Sequence, residues 1–528
     1  MDNSRAVYGI DLGTTYSCIS QVDKFDQAVV LRNFEGDSTT PSAVYFEPNN
    51  KDKVIIGKEA KEMLATEPEN TVVFVKREMG NDAAFDKSTN KFPYHYDPSE
   101  ISAFILKKLV QDANSLSDNP EPINDVVITC PAYFGTKERM QTKQAGEIAG
   151  LNVLAIINEP TAAAISYGVR LDERKTILVY DLGGGTFDVT IIQVDHGAIK
   201  VVATGGDHHL GGVDWDTALS KYMLTAFNSE NGTNFSFEND PILRNSLLLE
   251  AEMKKKNLTA KETIKWNFTY EGKNMRLELT RQQFNDITTD LLDETIEKTR
   301  DIIEIARQKG YSDPEMFLLV GGSSKMPQIK SRVDSEFGCD AKYHEPDECV
   351  AKGAAIYAMN EAYSQAVRDY EEGDSDEKPK PITGDRTTVV NVTSKTYGTD
   401  ISNNKVNNLI FANTSLPCSI KATFSTTVDN QPYVPMKVFE SDFTDPNTDA
   451  VVEESQCMLV DDHKLVLTKQ WPIHTPIEVT FAIDNEGILS CKAKVADDAL
   501  DFTLKITGVK TNEELNLSKS IIASKRIE

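Results

Sequence analysis

Two short stretches carry the residue types that phosphate chemistry needs. VYGIDLGTTYSCI (7–19) and LVYDLGGGTFDVTII (178–192) share one plan: an apolar run, Asp, Leu, glycine, Thr and a second apolar run. Each reads as a β-hairpin whose glycine turn lets backbone amides come close to phosphate oxygens. The threonines add hydroxyl donors, and the aspartate ending each first strand, Asp11 or Asp181, can orient a hydrated Mg²⁺. One such turn alone is as readily an ordinary glycine turn. Two copies, with a third Gly pair in VGGSSKMP (320–327), predict a triphosphate clamped from both sides of a cleft. A Walker A sequence and a GxGxxG before a helix are both missing from the sequence, which removes the P-loop and Rossmann schemes.

The elements that must hold these loops follow from the hydropathy pattern. Strand-like runs at 6–10, 125–130, 176–181 and 317–322 alternate with helical spacing at 100–110 and 285–310, the latter ending at Gly310. Strands alternating with helices predict a layered α/β domain. An acidic, proline-containing stretch at 369–386 reads as a linker region, because it has too little apolar surface to stay folded. Beyond it, 422–441 and 477–495 each read as alternating strand, turn, alternating strand, which predicts an antiparallel β-sandwich. Residues 511–528 start like a capped helix and then stop.

Composition narrows the function classes. The 528 residues are 40% hydrophobic and 26% charged, an ordinary globular balance. Their length fits about three to five domains. A net charge of −26 argues against generic binding to nucleic acid or anionic lipid, while leaving room for one locally basic cleft. The seven scattered cysteines form no CxxC pair and are read as buried free thiols of a reducing compartment. Neither a signal peptide nor an apolar run of membrane-spanning length is visible, so a cytoplasmic protein is expected.

GIDLGTTYS (9–17), NEPTAAAISYG (158–168), DLGGGTFDVTI (181–191), HLGGVDWD (209–216) and VGGSSKMP, in this order, resemble the seventy-kilodalton heat-shock chaperones of the DnaK type. DNQPYVPMKV and EVTFAIDNEGIL extend the resemblance over essentially the whole chain. It implies an actin-like, two-lobed α/β ATPase domain at 1–384, with lobes near 1–170 and 171–342 and a return to the first. It further implies a linker at 385–391, an all-β sandwich that holds peptides at 392–510, and the stub of a C-terminal helix at 511–528.

Motif by motif, the resemblance assigns Gly13, Thr14, Thr15 and Tyr16 to the phosphates from the first hairpin. Gly183, Gly184, Gly185 and Thr186 take the same part from the second, with Thr186, Glu159 and Asp181 also counted as catalytic. Lys76, in VKREMG, matches the catalytic lysine, able to position the attacking water and stabilise charge on the transferring phosphoryl group. Asp11, Glu159, Asp181 and Asp188 would hold Mg²⁺ through its waters, Asp188 standing near the monovalent-ion (K⁺) sites as well. Glu159-Pro160 also suits a helix start. For the nucleoside of ATP or ADP, Glu252, Lys255, Lys256 and Thr259 would line one side, and Gly321, Gly322, Ser323 and Lys325, backed by Asp347, the other. Thr399, Ser402, Phe424, Thr427, Val434 and Met436 fall on peptide-groove positions.

The departures concern adenine stacking and coupling. Lys256 and Lys325 stand where arginines are usual, and an ammonium does not stack on a base as a guanidinium plane does. Ala155 replaces the arginine that pairs with J-domain co-chaperones, so that partnership is expected to be weakened; a nucleotide exchange factor is the other implied partner. The linker reads Arg386-Thr387-Thr388-Val389-Val390-Asn391, with two strongly apolar residues and a first charge of reversed sign. Ser402 and Thr427 replace the Met and Ala of the groove's arch, and Asn403-Asn404 a Gly pair. Relatives continue into a helical lid that this sequence, running to Glu528, is expected to lack. The expected function is an ATP-dependent chaperone that hydrolyses ATP and binds unfolded or extended polypeptide. An accessory relative with little turnover and an actin-like small-molecule kinase are the alternatives.

Overall fold

The computed structural model describes residues 6–116, 122–168, 174–195, 198–373, 388–401, 403–467, 469–495, 498–500, 506 and 508–528. Two sheets of like topology organise the chain as far as Val390. In the first, Ala28–Leu31, Tyr16–Val22, Val7–Asp11, Asp125–Cys130 and Asn152–Asn158 lie side by side in that order. In the second the order is Lys342–Tyr343, Met316–Val320, Lys175–Leu182, Phe187–Asp195, Ala198–Asp207 and Thr388–Val390. Each sheet is an antiparallel three-strand meander with parallel strands added beside its first strand, and the second sheet gains Thr388–Val390 beside its third. The internal near-repeat is therefore a repeat of structure.

The predicted strand at 125–130 spans the same residues in the structure, and the other three shift by a residue or two. The helix predicted at 100–110 runs Pro98–Leu116. The one predicted at 285–310 is broken into Arg281–Ile287 and Thr289–Gln308, with Gly310 at φ 82° just beyond. Thr280 starts the first of these with a capping box to Gln283, a local signal that periodicity alone does not read.

Cys349–Glu372 returns to the first sheet, lying across Val7–Asp11 and Tyr16–Val22 and against Glu159–Gly168. The approach needs bare backbone. A Cβ on Gly9 would stand 2.6 Å from the Ala351 carbonyl oxygen, and one on Gly353 would collide with the Ala162 carbonyl. The helix is thereby held nearly backbone to backbone against the Val7–Asp11 strand on one side and the Glu159–Gly168 helix on the other.

After Val390 the chain forms two packed antiparallel sheets. Ile477, Val479, Phe481 and Ile483 of one strand and Leu489, Cys491, Ala493 and Val495 of the next face the core in strict alternation, a hairpin as the pattern predicts. The other predicted unit differs. Cys418–Ser425 pairs with Pro476–Ile483, while Tyr433–Ser441 pairs with Thr396–Ile401 and Met458–Val466, so its turn is an arch from one sheet to the other. Both arrangements bury alternate residues, so the alternation cannot tell them apart. Asn403 and Asn404 adopt φ of 70° and 54°, and asparagine is among the few residues that replace glycine there cheaply.

The sandwich docks on the first lobe. The Tyr397 hydroxyl accepts from the Thr136 amide at 3.0 Å, Lys143 pairs with Glu486 at 3.1 Å, and the Gly487 carbonyl accepts from Thr136 Oγ1. Asn512–Ala523 forms the expected capped helix, lying on the Pro98–Leu116 and Thr136–Ile148 helices. It does not simply stop: Arg526–Ile527 adds a parallel strand to Lys53–Ile56, and Ile522 and Ile527 enter the first lobe's core. Lys510 pairs with buried Asp97, and Ser518 donates to buried Glu100 at 2.6 Å. All seven cysteines are free, but only Cys18, Cys130, Cys349 and Cys491 are buried; Cys339, Cys418 and Cys457 are half-exposed, contrary to expectation.

Candidate active site

The two glycine turns face each other across a cavity of about 460 Å³ between the lobes. In the first, Gly13 donates to Ser17 Oγ at 3.2 Å and Ser42 Oγ donates to the Gly13 carbonyl at 2.8 Å. In the second, Gly183 donates to the Thr186 carbonyl at 3.0 Å. The first amides of the Gly212–Asn231 helix then donate to the Gly183 and Gly184 carbonyls at 3.0 and 2.8 Å. A Cβ on Gly184 or Gly185 would collide with Thr15 or Thr14 respectively. Only glycine lets the loops come this near.

Lys76 enters from the side, on the single turn Val75–Glu78. Phe74 precedes it at φ 59°, a left-handed conformation costly for a bulky side chain and typical of functional sites. The Lys76 ammonium is buried and ion-paired with Glu159, and Asp11 is a second source of negative potential on it. Asp11 is pushed up to about 7, by burial first and then by Glu159. Asp181 and Asp188 are pushed well above the usual carboxylate range by the same two causes. Thr129 donates to Asp11 at 3.1 Å, and the Ala132 amide to Asp188 at 2.8 Å. Four carboxylates facing one ammonium leave an excess of negative charge that a divalent cation would offset. Among the described residues no three carboxylate, histidine or cysteine groups are close enough to ligate an ion directly. That spacing fits an ion held through its own waters, as Mg²⁺ prefers.

The nucleoside side is more committed than the sequence implies. Glu252 accepts from Lys61 at 2.5 Å, from Lys256 at 2.8 Å and from the Tyr16 hydroxyl at 3.1 Å. Burial would raise Glu252, but Lys61 and Lys256 outweigh it and bring it down to about 2. Lys255 lines the cavity, yet its ammonium donates to Asp216 and to the Gly212 carbonyl, both at 2.8 Å, as a buried strut between two helices. Lys325 pairs with Asp347 on the opposite wall, beside Gly321, Gly322 and Ser323, and Thr259 also faces the cavity. Gly185 and Asp188 lie just outside the lining.

Sequence reasoning missed the residues that bridge the lobes. Lys61 carries no local signal. Arg77, next to Lys76, reaches across to the Gly185 carbonyl at 2.7 Å and to Asp214 at 2.5 Å. Arg77→Ala is expected to speed nucleotide release by about tenfold or more, since truncating a part-buried charged hydrogen-bond pair acts mainly on dissociation. Stopped-flow release of a fluorescent nucleotide measures it. An unchanged rate would show that the bridge does not hold the cleft.

Comparison with known proteins decides the lineage. The family model described as Hsp70 protein matches residues 7–524. The chain is 36% identical over 534 aligned positions to the chaperone protein DnaK of Thermosipho melanesiensis, covering 99% of this chain and 83% of that protein.

The chain belongs to the Hsp70 family.

This Hsp70 is accordingly an ATP-dependent chaperone with ATP hydrolase activity, built as an actin-like two-lobed ATPase followed by a β-sandwich, and it uses ATP or ADP with Mg²⁺. Its sandwich holds the expected groove residues unequally. Val434 and Met436 are buried in the sandwich core, with Phe424 half-buried against them. Thr427 is exposed, its amide and hydroxyl both donating to Gln431 Oε1 at 2.7 and 3.1 Å. Thr399 is apart from these, fully buried and donating to the Lys437 carbonyl at 2.8 Å. Ser402, Arg386 and Thr387 lie outside the described residues. Thr388–Val390 pairs parallel with Ala198–Lys200, so this strand extends the sheet that carries the second phosphate loop. Among the described residues no helix is long and apolar enough to cross a membrane.

Proposed function

We propose that ATP turnover in the cleft drives cycles of binding and release of unfolded or extended polypeptide by the sandwich. The observation that carries this reading is the linker strand Thr388–Val390, hydrogen-bonded into the sheet of the second phosphate hairpin. Phosphate contacts fall to the backbone of Gly13–Tyr16 and Gly183–Thr186. Lys76, held charged by Glu159 and Asp11, orients the attacking water and faces charge growing on the γ-phosphoryl group. Thr186 positions that group, and Glu159 accepts from Lys76 and fixes where its ammonium points. Asp11, Glu159, Asp181 and Asp188 would hold Mg²⁺ through its waters, which supplies charge neutralisation between the phosphates. K⁺ beside Asp188 is part of the same proposal. The working units are 1–384 for nucleotide, 385–391 for coupling and 392–510 for peptide, with 511–528 fastening the docked arrangement, in a cytoplasmic protein.

A phosphate-release assay with and without an unfolded client tests the reading. Client-stimulated turnover is expected. Client binding with no turnover would favour a scaffold, and phosphate passed to a small acceptor would favour a kinase, for which the sandwich has no use.

Coupling to a J-domain co-chaperone is expected to be weak, and a nucleotide exchange factor completes the cycle. Ala155 is 4% exposed and belongs to the apolar cluster that Val389 of the linker joins, so no cation is offered to a J-domain acid there. ATPase rates titrated with a generic J-domain check this; stimulation by tenfold or more would overturn it.

A further inference from the structure

The docked interface between the first lobe and the sandwich is mostly well paired. Thr136, Arg139, Lys143 and Ser394 each hydrogen-bond across it. Glu138, on the Thr136–Ile148 helix, and Glu440, on the Tyr433–Ser441 strand, break the pattern. They are 5% and 2% exposed. Glu138 Oε2 and both carboxylate oxygens of Glu440 find no hydrogen-bond partner among the described residues. These three oxygens converge on one spot: a Cβ built on Gly135 would stand 2.6 and 3.1 Å from those of Glu440 and 3.2 Å from Glu138 Oε2.

The neighbouring charges do not rescue the pair, because each is engaged elsewhere. Lys137 pairs with Asp82 at 2.5 Å, and Lys395 with Asp442 at 2.5 Å. Arg139 donates to the Phe134 carbonyl at 2.8 Å and to Asn158 at 2.5 Å, and the Tyr397 hydroxyl is turned to Thr136. Two buried carboxylates meeting without a cation cannot both be ionised cheaply; one shared proton turns a repulsion into an O–H···O bond.

We propose that Glu138 and Glu440 form a proton-binding site that exists only while the sandwich is docked on the first lobe, so that docking takes up a proton. When the surfaces part, Gly135 and Glu138 leave Glu440 to water. The ionisation balance agrees in sign. In the docked state Glu440 is pushed from 4.5 up to about 8, by burial first and the Glu138 charge second, against the pull of Lys395. Burial raises Glu138 too. The pair's contribution to docking is therefore full below about 4.5, is lost as pH rises through neutrality, and levels off above about 8. The slope approaches tenfold in the docking constant per pH unit for one proton.

Other groups bound the window. His208 lies against Tyr133 and Phe134 at ring distances of 4.1 and 5.8 Å, where burial and then Lys395 hold it down to about 4. It opposes the effect only below its usual 6.5. Lys309, which donates from the second lobe to the Asn413 carbonyl of the sandwich, is pushed by burial down to about 8 and responds above that. Between 6.5 and 8 neither of these two groups masks the carboxylate pair.

The test uses the full chain with ATP, following docking by small-angle scattering and proton uptake with an indicator dye in weak buffer. The docked-to-undocked ratio of the wild type is expected to fall at least tenfold from pH 6.5 to 8. Near pH 7 the wild type should take up close to one proton more than Glu440→Gln, in which an amide stands in for the protonated acid. Glu440→Gln and Glu138→Gln should dock at every pH. Wild-type docking that ignores pH, a glutamine variant that keeps the wild-type slope, or one that no longer docks at all would each overturn the proposal. So would a wild type that stays undocked with ATP throughout.

Discussion

Lys76→Ala is expected to lower single-turnover ATP cleavage by about 10³-fold or more, the scale on which a cation facing a transferring phosphoryl group acts. Nucleotide affinity should change by less than about tenfold. The asymmetry follows from the geometry. Phosphate grip is spread over two backbone turns and the bridges between the lobes, whereas Lys76 is the cation set beside Glu159, Asp11 and the cleft. Cleavage measured after rapid mixing, with a parallel binding titration, separates the two. Near-normal cleavage would remove Lys76 from the chemistry, and a collapse of binding would make it a structural residue.

Asp181→Asn is the second large effect, with turnover falling by about 10²-fold even in excess Mg²⁺. The site's electrostatics add a control within the same variant. Asp181 is buried beside Glu159 and Asp11, and its carboxyl resists ionisation by burial first and by their charges next. A neutral amide of the same shape removes that repulsion, so the nucleotide-free, Mg²⁺-free protein should melt no lower than the wild type. A thermal scan without ligands and a turnover assay with them read the two sides. Full activity would place the metal elsewhere, and a markedly lower melting temperature would trace the loss to folding instead.

What the sequence revealed and what it hid divide along one line. The phosphate turns were legible because Asp, Gly and Thr act there through local backbone geometry, and a turn announces itself within six residues. The sandwich strands were legible because Val479, Phe481 and their neighbours alternate. The arch between Ser425 and Tyr433 was not, since alternation records which face is buried and not which sheet receives it. Lys61, Arg77 and Asp216 escaped for a related reason. Each is an unremarkable charge in its own segment and gains its part only from a partner on another lobe or helix. Lys255 shows the converse, placed by its motif at the nucleoside while its ammonium is spent on Asp216. Glu138 and Glu440 carry no local mark at all.

The short strand Arg526–Ile527 has a consequence for association. Bound beside Lys53–Ile56, it caps a sheet edge that no other strand covers among the described residues, the kind of edge to which a strand from any chain can attach. The hydrogen bonds it makes are the same whether the donor is its own molecule or a neighbour. Whenever the segment lifts, monomer and strand-exchanged dimer compete for one set of contacts, with concentration choosing between them. Crowded solutions would then favour reciprocal pairs that disperse on dilution.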